Sequence, residues 1–231
     1  MSKKQNLIKP SNKEPVKDLL TDISEMSLDE ILSTMSNQQE LLENIPIIKW
    51  LFIGDKIRSN IMSAHFIKKY AYFIGQITKN LEDIDNDLLS EIDDEKTSQQ
   101  IVDYTIIYLD RYHNEFKAKL LGELFIQTFK KFHFSSKEYN SLMFSIEQIH
   151  PVDGIDKLEE FYDYAKRMEG EINEDKKRSI WQEGAKLEYQ SLATTGLLIL
   201  PVGDSGIGNY GGAKLSDIGK RFYELVVLNC N

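Results

Sequence analysis

Proline is absent between Pro46 and Pro151, and only Gly54, Gly75 and Gly122 interrupt that stretch. Proline and glycine are the residues that most strongly break helices, so a long interval nearly free of both predicts helix after helix. The end of the chain is the reverse. Seven of the thirteen glycines lie between Gly196 and Gly219, which predicts tight turns that the middle lacks.

Within the glycine-poor interval the apolar residues keep helical spacing. Ile57, Ile61, Ala64, Phe66, Tyr70, Phe73, Ile74, Ile77 and Leu81 mark a helix of more than six turns. Thr97 and Gln100 predict the cap of a second, with Ile101, Tyr104 and Tyr108 on one side and Ile106 and Leu109 on another, a pattern expected to be buried on more than one face. Phe116, Leu120, Leu124, Phe125 and Phe129 continue after a break near Asn114. Ser135 with Glu138 forms a capping box ahead of Tyr139, Leu142, Met143, Ile146 and Ile149, and Pro151 ends that helix. Ser27 with Glu30 repeats the box ahead of a short helix towards Leu42. Ile155, Leu158, Phe161, Tyr162, Ala165 and Met168 form a further stripe, closed by Gly170.

Past Glu174 a charged helix is expected to pass Trp181, Leu187 and Leu192 and to end at Gly196 in a left-handed cap. Leu197–Leu200 reads as a short strand, the glycine-rich run Gly203–Gly212 as a loop, Lys214 and Leu215 as the returning strand, and Ser216 as the cap of a last helix. Helix, strand, loop, strand, helix is the order found at a winged-helix end. The predicted fold is therefore mainly α, a helical bundle with a C-terminal winged-helix-like module containing a small β-hairpin. Its expected parts are a disordered polar tail over 1–16, an α-helical domain over 17–170 and the winged-helix-like module over 171–231.

Charge narrows the partners. Of 231 residues, 28 are Lys or Arg and 37 are Asp or Glu, a net charge of −9, which argues against general nucleic-acid binding by the whole chain. The charges are also segregated: residues 45–81 are basic and 82–110 strongly acidic. The basic segment mixes cations with Trp50, Phe52, Phe66, Tyr70, Tyr72 and Phe73. Lys49, Trp50, Lys56, Arg58, Lys68 and Lys69 are its candidate interaction surface, either for anionic headgroups at a membrane or, in the more economical reading, for intramolecular packing of adjacent helices. The single cysteine, Cys230, excludes an intrachain disulfide framework and a cysteine metal cluster, and it fits a cytoplasmic protein. The N-terminus lacks a signal-peptide core, and the longest apolar run, Ile45–Gly54, is too short to span a bilayer.

Three motifs fail on context. Gly206, Gly208 and Gly211 match the spacing of a dinucleotide fingerprint, but the chain has no room for the second strand and acidic residue that the motif needs. Gly203-Asp204-Ser205-Gly206 copies a trypsin-like nucleophile sequence, yet His65, His113, His133 and His150 all lie in or beside predicted helices. Asp83, Asp85, Asp87 and Asp94 fall at positions of a calcium loop whose obligatory glycine is Leu88. Glu115 and Lys117 copy a nuclease fragment, but on a helix. No catalytic, cofactor or metal residue is therefore assigned, and the chain is expected not to be an enzyme. Asp204, Ser205, Asn209 and Tyr210 are the candidate wing.

Ile146–Asp153, Leu192–Leu198 and the helix start Leu215-Ser216-Asp217-Ile218-Gly219-Lys220-Arg221-Phe222 together resemble the bacterial abortive-infection Abi-alpha type of protein. The resemblance covers about the last 90 residues and implies a prokaryotic or phage-borne accessory protein of phage defence, with no catalytic residues to carry over. The long loop and the acidic block depart from it. The expected function is a non-enzymatic protein-interaction protein with a protein partner. The alternatives are a winged-helix DNA-binding regulator contacting phosphates through Lys176, Lys177 and Arg178, and a membrane-surface effector using residues 45–81.

Overall fold

A computed structural model describes residues 58–79, 95–201 and 212–230. The chain is mainly helical, with one two-stranded antiparallel sheet among these residues. In order come α1 (Arg58–Lys79), α2 (Glu95–Arg111), α3 (Glu115–Phe129), α4 (Ser136–Gln148), α5 (Gly154–Gly170), α6 (Glu174–Gly184), a 3-10 turn (Gln190–Leu192), β1 (Leu198–Ile199), β2 (Lys214–Leu215) and α7 (Asp217–Phe222), which widens into a π turn over Tyr223–Val227. The chain divides into two compact units, Met1–Asn140 and Ser141–Asn231, with the division inside α4. The sequence reading drew its boundary at 170/171. The difference arises at α5, which packs with α6, the 3-10 turn, β2 and the π turn and so belongs with the C-terminal elements.

In the first unit α3 is the central helix. From Lys117 to Phe129 every residue except Lys119 is buried, as expected of a helix surrounded by others rather than lying on a surface. The sequence reading placed that role on α2. There, Ile101, Thr105 and Leu109 form a buried stripe while Tyr104 and Ile107 are exposed, so α2 is amphipathic. Periodicity reports which residues are apolar, and only packing decides how many faces are covered.

α1 lies along α3. The close approach depends on Gly122: a Cβ there would stand 2.6 Å from the Phe73 carbonyl oxygen and 2.9 Å from Gln76 Cβ. Around this crossing the rings interlock. Phe73 meets Phe125 edge-on at 5.9 Å, Phe125 lies 4.8 Å from Phe129, and Phe129 lies 4.9 Å from Tyr139. Phe66, Tyr70 and Phe73, which belong to the basic aromatic segment, are all buried.

Lys69, Lys117 and Glu123 are buried charged residues of this unit, and the partners of two of them show how a charge is held inside. The Glu123 carboxylate, fully buried, accepts hydrogen bonds from Gln76 Nε2 at 2.8 Å and Gln127 Nε2 at 2.7 Å. With its amide nitrogen so used, Gln127 presents its oxygen to His133 Nδ1 at 2.7 Å, so that ring nitrogen carries the hydrogen. Lys69 donates from Nζ to the carbonyls of Asp110 (2.5 Å) and Tyr112 (3.0 Å) at the end of α2, where unpaired carbonyls and the helix dipole favour a cation.

The second unit is built on local caps. Asn173 accepts from the Asp175 and Lys176 amides to start α6, and Ser216 accepts from Gly219 N to start α7. The expected charged helix running to Gly196 is shorter. It stops at Gly184, where Lys186 N bonds Glu183 O and Leu187 N bonds Gly184 O in a tightened last turn. Gly196 is left-handed as expected, at φ 72°, but it closes a turn after the 3-10 segment and not a helix. Residues 1–57, 80–94 and 202–211 lie outside the described residues. With them lie the expected tail, the Ser27 cap, the acidic block through Asp94 and the glycine-rich loop.

Two outcomes follow. Gly122→Ala should destabilise the first unit by about 2–3 kcal/mol, read by urea unfolding, because its neighbours include backbone that cannot rotate away. Burial raises the phenol pKa of Tyr70 and of Tyr139 well above the ordinary 10.0. The native state then keeps protons that the unfolded chain releases. This contribution to stability is complete below pH 10 and lost as pH climbs above it. In alkaline titration the last tyrosinate absorbance should appear together with loss of helical circular dichroism. Ionisation of all tyrosines before unfolding would contradict this packing.

Candidate functional site

The C-terminal unit presents an apolar strand edge that local bonding holds in place. Thr195 Oγ1 donates to Leu192 O at 2.7 Å and accepts from Leu197 N at 3.1 Å. Leu197 O then accepts from both Ser216 N (3.0 Å) and Ser216 Oγ (2.8 Å). These bonds fix the register that pairs Leu198 with Leu215 and Ile199 with Lys214. Strand alternation turns Leu198 inwards at 7% exposure and Ile199 outwards at 61%, and Leu200, just past the strand, is 38% exposed. Gly219 lets α7 meet this strand, since a Cβ there would lie 2.2 Å from Leu197 O.

Behind the strand, α5 carries a polar seam that fastens α7 and the π turn. Tyr162 OH donates to Glu224 Oε1 at 3.0 Å, Lys166 Nζ lies 3.1 Å from the same oxygen, and Lys220 Nζ bonds both oxygens of Glu169 at 2.7 Å. The Tyr162 and Tyr223 rings lie 4.5 Å apart. Burial acts to raise the Glu224 carboxyl, but hydrogen bonds from Lys166 and Tyr162 outweigh it and hold the group below its ordinary range. Burial, with Glu159 and Asp163 nearby, pushes the Tyr223 phenol up to about 12. Each charge here faces an opposite charge or a hydrogen bond, so the seam is an adhesive between elements.

A shallow cavity of about 450 Å³ opens between α5 and α6, lined by Arg167, Glu171, Lys176, Ser179, Ile180 and Glu183. Arg167 and Glu183 are paired across it at 2.6 Å. Its cations and carboxylates balance, which gives it no preference for a charged ligand. Among the described residues no group of three His, Cys, Asp or Glu side chains could hold a metal ion, and no helix is long and apolar enough to cross a membrane.

The residues singled out in sequence are dispersed. Arg58 opens α1. Lys68 is half-buried and stands 3.7 Å from Glu115. Lys69 is buried, with burial pulling its ammonium pKa down against the attraction of Asp110 and Glu115. Both described lysines are thus engaged within the first unit. Lys49, Trp50 and Lys56, and the candidate wing of Asp204, Ser205, Asn209 and Tyr210, lie outside the described residues. Glu115 and Lys117 sit in the first turn of α3, as their helical spacing implied. The exposed pair Ile199 and Leu200 was not singled out in the sequence. Its signal was there: Leu197–Leu200 are all apolar, and a hairpin strand with one buried face cannot cover all four.

No protein-family model, curated protein or solved structure matches this chain.

Gly219→Ala should destabilise the C-terminal unit by about 2–3 kcal/mol, because a methyl group would collide with strand backbone. Gly170, with nothing within 4 Å of a built Cβ, is the contrast. Gly170→Ala should be neutral or stabilising by up to ~1 kcal/mol. Thermal unfolding of the two variants checks the pair, and equal effects would contradict the tight α7 contact.

Proposed function

We propose that the chain is a non-enzymatic protein-interaction protein, and that its C-terminal unit is a winged-helix-like module serving an accessory role in bacterial phage defence of the abortive-infection kind. The observation that carries the reading is the exposure of Ile199, in a two-stranded sheet, and of Leu200 directly after it. An uncovered apolar strand edge offers both backbone pairing groups and side-chain area to another chain, which is how extended peptides add to sheets. The order α6, β1, β2, α7 supports the winged-helix likeness. The resemblance of the C-terminal residues to the Abi-alpha type is what brings in phage defence.

The DNA-binding alternative is weaker on charge. Lys176, Lys177 and Arg178 share the start of α6 with Glu174 and Asp175, and Glu174 lies 3.4 Å from Lys177 Nζ. Phosphate contacts need uncompensated cations.

The test is affinity capture from phage-challenged bacteria with the wild-type chain and an Ile199→Asp, Leu200→Lys double variant, alongside plaque counts on cells expressing each. Wild type should retain a defined protein and lower plaque numbers. The variant should keep its helical circular dichroism and lose the partner about tenfold or more, the effect of removing an interface anchor. The same retained proteins with both chains would sink the reading, and a steeply salt-dependent mobility shift on duplex DNA would replace it with the regulator.

A further inference from the structure

The turn between α3 and α4 holds a residue that its own backbone disfavours. Phe132 has φ 56°, the one non-glycine residue with positive φ among the described residues. The conformation is imposed by chain reversal: Lys130 N and Lys131 N both bond Ile126 O, and His133 N closes the turn on Gln127 O at 2.8 Å. Glycine takes this left-handed position at the end of a helix without cost, whereas a bulky side chain is strained there. The strain is not offset by packing, because the Phe132 ring is 61% exposed.

Exposed cations adjoin the ring along the chain. Lys130 and Lys131 precede it and are exposed, and Lys137 lies in the first turn of α4 beside Glu138, whose carboxylate accepts from the Ser135 amide and hydroxyl. Glu123, the acidic group near Lys131, is buried, 4.0 Å from its Nζ, and already accepts two amide hydrogen bonds. His133 is held by Gln127, which is held by Glu123, so the turn is tied to the core while the Phe132 ring and the neighbouring Lys130 and Lys131 stay exposed.

We infer that this turn is a contact for an anionic lipid surface, in which Phe132 enters between headgroups while Lys130, Lys131 and Lys137 lie in the phosphate plane. A protruding apolar ring flanked by flexible cations matches the layering of a bilayer interface. It needs no complementary relief, whereas a protein interface needs a far larger matched area than one turn supplies. A single-stranded nucleic acid is bound along a groove spanning several nucleotides, not at a point. The contact is separate from Ile199 and Leu200, which belong to the other unit, so the two readings fail independently.

Sedimentation of the full chain with vesicles of phosphatidylserine and phosphatidylcholine, against phosphatidylcholine alone, tests it. Binding should require the anionic lipid and weaken as salt rises. Phe132→Gly relieves the strained position, so its thermal midpoint should be unchanged or higher while partitioning falls about tenfold. Lys130→Gln with Lys131→Gln should also reduce partitioning and flatten its salt dependence. Wild type that does not sediment with anionic vesicles, or a Phe132→Gly variant that sediments like wild type, overturns the proposal. So does a Phe132-dependent mobility shift on a single-stranded oligonucleotide without vesicle binding, which would assign the turn to nucleic acid.

Discussion

A helix enclosed on all sides must satisfy every polar group it carries inside, and in α3 that requirement falls on Glu123. A carboxylate at zero exposure would be costly unpaired. The two amide donors that meet it come from different places, Gln76 on α1 and Gln127 one turn along α3. The α1–α3 crossing therefore both packs the core and supplies a hydrogen bond to its buried carboxylate. Gly122, next in sequence, permits the approach that brings Gln76 within reach. Packing and hydrogen bonding are here linked, because a helix pair held further apart would cost the carboxylate its bond from Gln76.

Lys69 shows the same logic in a cation. Its ammonium closes the end of α2 from another helix, taking the place that a local capping residue would fill. The second unit is assembled differently. Its buried side chains are supplemented by surface links, such as Lys220 with Glu169 and Tyr162 and Lys166 with Glu224, and by caps reaching only three residues. Exposed ion pairs of this kind contribute little each. The tight meeting of Gly219 with Leu197 O, joined by the two Ser216 bonds to that carbonyl, does more to locate α7.

What was legible in the sequence was short in range. Asn114 caps α3, Ser135 and Glu138 bond reciprocally, and Ser216 caps α7, because each signal lies within three residues of its effect. The helical class followed from the missing prolines for the same reason. The enclosure of α3 was not legible. α2 and α3 both carry apolar residues on several sides, and burial is decided by what packs against them. Lys69 read as part of a surface because lysines are usually exposed, and the Lys69 bond to Asp110 and the Gln76 bond to Glu123 each join residues more than 40 positions apart. In the candidate site, the hairpin was legible from Leu197–Leu200 and the returning Lys214 and Leu215. Which of its apolar residues stay uncovered depends on register, and the Ser216 bonds to Leu197 that set it span 19 residues.

The chain of bonds from Glu123 through Gln127 to His133 has a consequence for motion. Surface turns ordinarily open by themselves, with local free energies near zero, while core helices open only with the whole domain. Here the His133 amide and imidazole are both fastened to Gln127, whose own side chain ends on the buried carboxylate. Freeing the turn means unseating a core residue. The exposed Phe132 thus stands beside a residue whose backbone and side chain are both bonded to a core glutamine.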